Sequence, residues 1–142
     1  MYQKILVPVD ESEAAMRALQ EACQLAQSTN AAIYAVHILD YAQVAWSNTG
    51  LVQNDAQKPQ DAVIEHTKQI FQQYQVNGET EVLNNTGEKI AQIIVSKAQE
   101  NACDLIIMGT HGLTGLMHLL MGSVAEGVLR LSKVPVMLIR HA

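Results

Sequence analysis

A chain of 142 residues in which 49% are apolar and only 4% aromatic fits one domain with a core of Ala, Ile, Leu, Val and Met. The formal net charge of −5, with 9 Lys and Arg against 14 Asp and Glu and no basic run, argues against nucleic acid and against a basic membrane-surface helix. No apolar stretch reaches the ~18 residues of a membrane span, and the segment from Met1 to Val9 is too short and interrupted for a signal peptide, so a cytoplasmic protein is expected.

Ile5-Leu6-Val7-Pro8-Val9 is a continuous apolar run, as suits a strand covered on both faces. Pro8 cannot donate to a ladder, so this strand is predicted to finish at Asp10. Asp10 or Ser12 then caps a helix whose first turn carries Glu11 and Glu13. Ala15, Leu19, Ala22, Cys23 and Ala26 form its apolar stripe, and Ser28-Thr29-Asn30 ends it. Residues Ala31 to Ile38 read as a second buried strand. From Leu39 to Lys58, around Trp46, no period is sustained, and connections of that length are often functional flaps. A helix over Pro59 to Gln75 follows, with Val63, Thr67, Ile70, Phe71 and Tyr74 facing inward and Pro59 in its first turn.

Asn77-Gly78 marks a turn before a short alternating strand, Glu79 to Leu83, of the polar kind found at a sheet edge. The next helix buries Ile90, Ile93, Ile94 and Ala98. A fourth strand, Asp104 to Met108, breaks into a loop punctuated by Gly109, Gly112 and Gly115. A helix resumes at Gly122-Ser123 and runs to about Ser132, with Val124, Val128, Leu129 and Leu131 apolar. A fifth strand, Val134 to Ile139, closes the chain. Cys23 and Cys103 lie far apart within apolar patterns and read as small buried thiols. His37, His111 and His118 have no spacing suited to a metal site.

Strands separated by helices imply right-handed crossovers, hence one doubly wound α/β domain over residues 1–142. The expected sheet is parallel, five-stranded, in the order 3-2-1-4-5, with helices on both faces. Ligands of such sheets bind beyond the carboxyl ends of the strands, where the strand order switches. Asp10, Ile38 and Gly109 all fall at such ends. A strand that delivers a glycine loop onto a helix N-terminus suits an anion, which meets loop N–H groups and the positive end of the helix dipole.

Two common phosphate motifs fail here. No Gly-x-x-x-x-Gly-Lys-Ser/Thr is present, and the turn after the first strand, Asp10-Glu-Ser-Glu, lacks glycine. What is present is Gly109-x-x-Gly112, nine residues, then Gly122-Ser123. Framed by Ile-Leu-Val-Pro-Val-Asp at the start and Val-Pro-Val-Met-Leu-Ile at the end, this pattern resembles the universal stress protein family along the whole chain, in its ATP-binding branch.

The resemblance implies a set of roles. Gly109 and Gly112 would admit ribose and phosphate close to the backbone, because a Cβ there would obstruct them. Gly122, Ser123 and the N–H of Val124 would grip the phosphates. Asp10 would accept a ribose hydroxyl hydrogen bond or help to hold Mg²⁺. Ile38 would read adenine through main-chain groups, with Pro8, Val9 and Met108 lining the pocket. The ligand would be ATP with Mg²⁺, and the protein a nucleotide-dependent stress-response or signalling module.

One departure from the family stands out: Met117-His118 occupies places where members often carry Lys or Arg. Without a loop cation, binding is expected to depend strongly on Mg²⁺ and to strengthen below about pH 6.5 as histidines charge. No catalytic set is readable, so any ATP hydrolysis by metal-bound water should be slow. A receiver domain would need an Asp at the end of its third strand, where Leu83-Asn84-Asn85 stands. A nucleotidyl-transfer enzyme would need an early His-x-Gly-His, which is missing. The remaining alternative is a dimeric scaffold without useful nucleotide binding.

The fifth strand is an edge in this order, and Val136, Met137, Leu138 and Ile139 form an apolar tetrad without a protecting charge before Arg140. The family resemblance adds that such strands pair across a two-fold axis. A homodimer through Val134 and Val136 to Ile139 is therefore expected.

Overall fold

Residues 1–40, 59–85, 87–111 and 121–140 are described in the computed structural model. Along them run β1 (Lys4–Pro8), α1 (Glu13–Thr29), β2 (Ala32–Asp40), α2 (Pro59–Tyr74), β3 (Gly78–Asn85), α3 (Ile90–Glu100), β4 (Leu105–Gly109), α4 (Ser123–Leu131) and β5 (Val136–Ile139). All strand pairs are parallel, in the order β3-β2-β1-β4-β5. The α/β class, the strand order and the two helical layers expected above are those observed.

Strand alternation sorts the core into two halves. Ile5 and Val7 of β1, Ile33 and Ala35 of β2, and Leu105 and Ile107 of β4 meet α1 and α2. Leu6, Tyr34, Val36, Ile106 and Met108 meet α3 and α4 on the opposite face. Small residues let α1 lie close to the sheet, since its buried side is Ala14, Ala15, Ala18, Leu19, Ala22, Cys23 and Ala26. Both thiols are buried and free. Burial pushes Cys23 up to about 12. It pushes Cys103 up to about 11, against a partial pull downward from Lys4.

Several boundaries differ from the expected ones. β1 ends at Pro8, not Asp10, yet its ladder outlasts the proline by one bond, Val9 N–H to the Val36 carbonyl at 2.8 Å. β2 continues past Ile38 because β3 runs beside it, pairing Leu39 with Asn84 and Asp40 with Asn85. Gly78 opens β3 instead of forming a turn, and a Cβ there would stand 2.5 Å from the Phe71 ring. In α3 the buried side includes Ala91 and Val95, while Ile93 is only half-buried. In α4 Ala125 and Val128 are buried, whereas Leu129 and Leu131 are 44% and 42% exposed. Trp46 and the rest of 41–58 lie outside the described residues, as do Gly112, Met117 and His118.

The end of the sheet away from the carboxyl termini is pinned by Asp104. Its carboxylate accepts the Gln3 N–H at 2.9 Å and the Lys4 N–H at 3.1 Å, tying the start of β1 to β4. Burial pushes this carboxyl up, but hydrogen bonds from the Gln3, Lys4 and Asp104 N–H groups, with the positive N-terminus, together hold it below its ordinary value. Among the described residues no helix is long and apolar enough to cross a membrane.

Candidate functional site

The turn that leaves β1 is short and fully tied. Asp10 accepts the Ser12 N–H at Oδ1, 2.7 Å away, and Ser12 in turn caps α1 by accepting the Ala15 N–H at 3.1 Å. Between the two capping residues the sequence allowed, the cap is therefore Ser12. Asp10 is half-buried just beyond the carboxyl end of β1, and the bond to this turn uses only its Oδ1. On the opposite side of Val9, His37 places Nδ1 2.8 Å from the Val9 carbonyl oxygen.

Beyond β4 the two ends of the glycine segment are clamped together. Thr110 donates its N–H to the Ile139 carbonyl at 3.1 Å and accepts the Gly122 N–H at 2.7 Å. This returns the chain to the carboxyl end of β4 as α4 begins. Gly122 is the N-cap of α4 and provides no side-chain cap. The first intrahelical donor is Glu126 N–H to the Gly122 carbonyl at 3.0 Å. The N–H groups of Ser123, Val124 and Ala125 thus precede the helical ladder, the arrangement that gives a helix start its affinity for negative charge. Ser123 is exposed there and Val124 half-buried.

Steric reasons for the two described glycines differ. A Cβ on Gly109 would meet the Ala14 Cβ at 2.8 Å, so α1 itself requires the glycine. A Cβ on Gly122 would lie 3.1 Å from the Thr110 carbonyl oxygen, a narrower squeeze inside the clamp. Both have ordinary backbone angles as far as φ is concerned.

Site candidates from the sequence separate by face. Ile38, Met108 and Val124 belong to one apolar cluster on the α3/α4 side, and Pro8 points to that side by alternation from Leu6. Val9 instead buries its side chain in the α1/α2 core, leaving its main chain at the crevice. The register Leu6 with Ile106 carries Met108 to the end of β1, and Pro8 pairs with Val36, two residues before Ile38. Asp10, Ile38 and Gly109 thereby sit at the carboxyl ends of three adjacent strands, around the β1/β4 switch. Of the interface candidates, Val134, Val136 and Leu138 pack toward α3 and α4 and Ile139 toward α1, while Met137 is 41% exposed.

Two positions were not legible as site elements. His37 stood out in the sequence only as a metal candidate, and Thr110 works through its main chain, which no side-chain pattern announces. The His111 ring accompanies Thr110, Nδ1 lying 3.2 Å from the Thr110 hydroxyl oxygen, and its buried Nε2 has no hydrogen-bond partner among the described residues. Among the described residues no group of three or more His, Cys, Asp or Glu side chains forms a metal site. A single carboxylate such as that of Asp10 fits a cation that arrives with a polyphosphate and takes its other oxygens from it.

The comparisons with known proteins agree with this architecture. The model of the universal stress protein family matches residues 1–140. A universal stress protein of Methanocaldococcus jannaschii is 30% identical over 99% of this chain and 83% of its own length. Universal stress protein YxiE of Bacillus subtilis is 32% identical over 99% of this chain and all of its own. Among solved structures, that of another M. jannaschii universal stress protein superposes with a TM-score of 0.82 at 27% identity, covering 100% of this chain and 98% of that one. A universal stress protein in complex with cAMP, TM-score 0.73 and 23% identical over 98% of this chain and 97% of its own, shares the fold. So does an Archaeoglobus fulgidus member in complex with dAMP, TM-score 0.71 and 24% identical over 97% and 98%. This chain belongs to the universal stress protein family.

Proposed function

We propose that the chain binds ATP together with Mg²⁺ in the crevice at the carboxyl ends of β2, β1 and β4, and acts in the cytoplasm as a nucleotide-dependent stress-response module. The observation that carries this is the clamp of Gly122 N–H on the Thr110 carbonyl at 2.7 Å. It returns the uncapped start of α4 to the carboxyl end of β4, the strand beside the one that leads into Asp10. Three unladdered N–H groups on α4 suit a phosphate chain, and the Asp10 carboxylate suits a ribose hydroxyl or the phosphate-bound cation. The apolar group of Ile38, Met108 and Val124 suits the flat face of a base. Mg²⁺, when bound with the nucleotide, would neutralise phosphate charge that no Lys or Arg between Gly109 and Ser123 can balance.

The output of the site in this reading is a nucleotide-dependent signal, with any ATP hydrolysis slow. Dimerisation through β5 is part of the proposal. Among the described residues the strand has one neighbour, β4, and Met137 is 41% exposed on it. Acid release of nucleotide from freshly purified protein, followed by chromatography, tests the ligand assignment. Adenine nucleotide near one per chain supports it; empty protein that gains no thermal stability from ATP supports the nucleotide-free scaffold.

A further inference from the structure

We infer that His37 is a positioning residue that frees the main chain of Ile38 for the ligand by capturing the carbonyl of Val9. In a regular parallel ladder, a residue that donates its N–H to one partner residue accepts at its carbonyl from the N–H two residues further along. Val9 donates to the Val36 carbonyl at 2.8 Å, so the regular donor to the Val9 carbonyl is the Ile38 N–H. That carbonyl instead has His37 Nδ1 at 2.8 Å. Among the described residues no backbone bond runs from Ile38 N–H to Val9.

A carbonyl oxygen only accepts, so Nδ1 carries the proton and the tautomer of the ring is set. Two consequences follow from this one bond. The Val9 carbonyl is held on the α1/α2 side of the sheet, which orients the next peptide and the Asp10 turn. The Ile38 N–H, with its carbonyl pointing the same way, is left at the end of β1 as a donor–acceptor pair. A flat heterocycle with an acceptor beside a donor matches such a pair, and an adenine edge has that pattern. The role of His37 rests on nucleotide binding at this site, but the bond it diverts can be read without nucleotide.

The test compares wild type with His37→Leu and His37→Asn by amide hydrogen exchange and by ATP titration in Mg²⁺. Leu cannot hold the Val9 carbonyl, so the ladder should extend by one bond. Exchange at Ile38 then slows, while ATP affinity falls about fivefold. Asn carries an N–H donor where Nδ1 stands, and should restore both values toward wild type. A merely structural histidine would speed exchange generally and would not be rescued at Ile38. Unchanged or faster exchange at Ile38 in His37→Leu overturns the inference; His37→Ala replaces it should the leucine variant not fold. Wild-type protein that binds no ATP would sink the nucleotide reading alone, because Ile38 exchange still decides the role of His37.

Discussion

A Cβ built on Gly109 stands 2.8 Å from the Cβ of Ala14 and 3.0 Å from its carbonyl carbon. The first glycine of the loop motif is therefore demanded by the packing of α1 on β4, whatever the loop binds. An intact Gly109 on its own does not separate a nucleotide-binding protein from a scaffold of the same fold. The site is better judged at Gly122 and Asp10.

Gly109→Ala should cost about 1–3 kcal/mol through overpacking, read as a fall in thermal midpoint. Adding Ala14→Gly removes the closest atom but not the carbonyl carbon, so recovery should be partial. Full stability of the single variant would show that α1 can retreat at little cost.

Asp10 and Ser12 should separate affinity from stability. Ser12→Ala removes the α1 cap and should cost about 1 kcal/mol. Asp10→Asn keeps an oxygen for the Ser12 N–H, so its melting temperature should stay near wild type. Its affinity for ATP with Mg²⁺ should drop about tenfold, as expected for losing a charged acceptor. A melting loss in Asp10→Asn with unchanged affinity would reassign Asp10 to the turn alone.

Asp104 predicts an acid dependence. Its carboxyl is held below the ordinary value of 3.8 in the folded chain by the Gln3, Lys4 and Asp104 N–H groups, with the positive N-terminus. Protonation is thus harder folded than unfolded, and the contribution is fully present above that value and lost as pH falls through the lower folded one. Denaturant titrations should find Asp104→Ala less stable than wild type at pH 7, by about 1 kcal/mol, with the gap narrowing below pH ~3.8. A gap that widens in acid contradicts the assignment.

Met137 is the cleaner probe of the proposed dimer, because Leu138 packs toward α3 and α4 and its replacement would damage the core. Met137→Lys should leave the fold intact and shift the solution mass to monomer by light scattering. A dimer that survives this change uses another surface.

Much of the fold was legible because burial on both faces leaves a strong signature in β1, β2 and β4, and because α1 and α2 carry regular stripes. Crossovers implied the doubly wound class, but they are equally compatible with another order of the same class, so the observed β3-β2-β1-β4-β5 order was expected without being derived from them. What escaped was decided by neighbours. β2 reaches Asp40 only because β3 runs alongside it, and Leu129 looks like core in sequence but faces out because α4 turns Ala125 and Val128 inward. At the site, Asp10 and Gly122 announce themselves by position, whereas the Thr110 clamp and the His37 bond are made to carbonyls. Main-chain partners leave no trace in residue identity.

Nucleotide binding is decided by titrating ATP into nucleotide-stripped protein by calorimetry, with Mg²⁺ and again with a chelator. Binding near one ATP per chain, markedly weaker once the metal is removed, is the expected result. No heat in either arm, together with no ATP-induced rise in melting temperature, would contradict it.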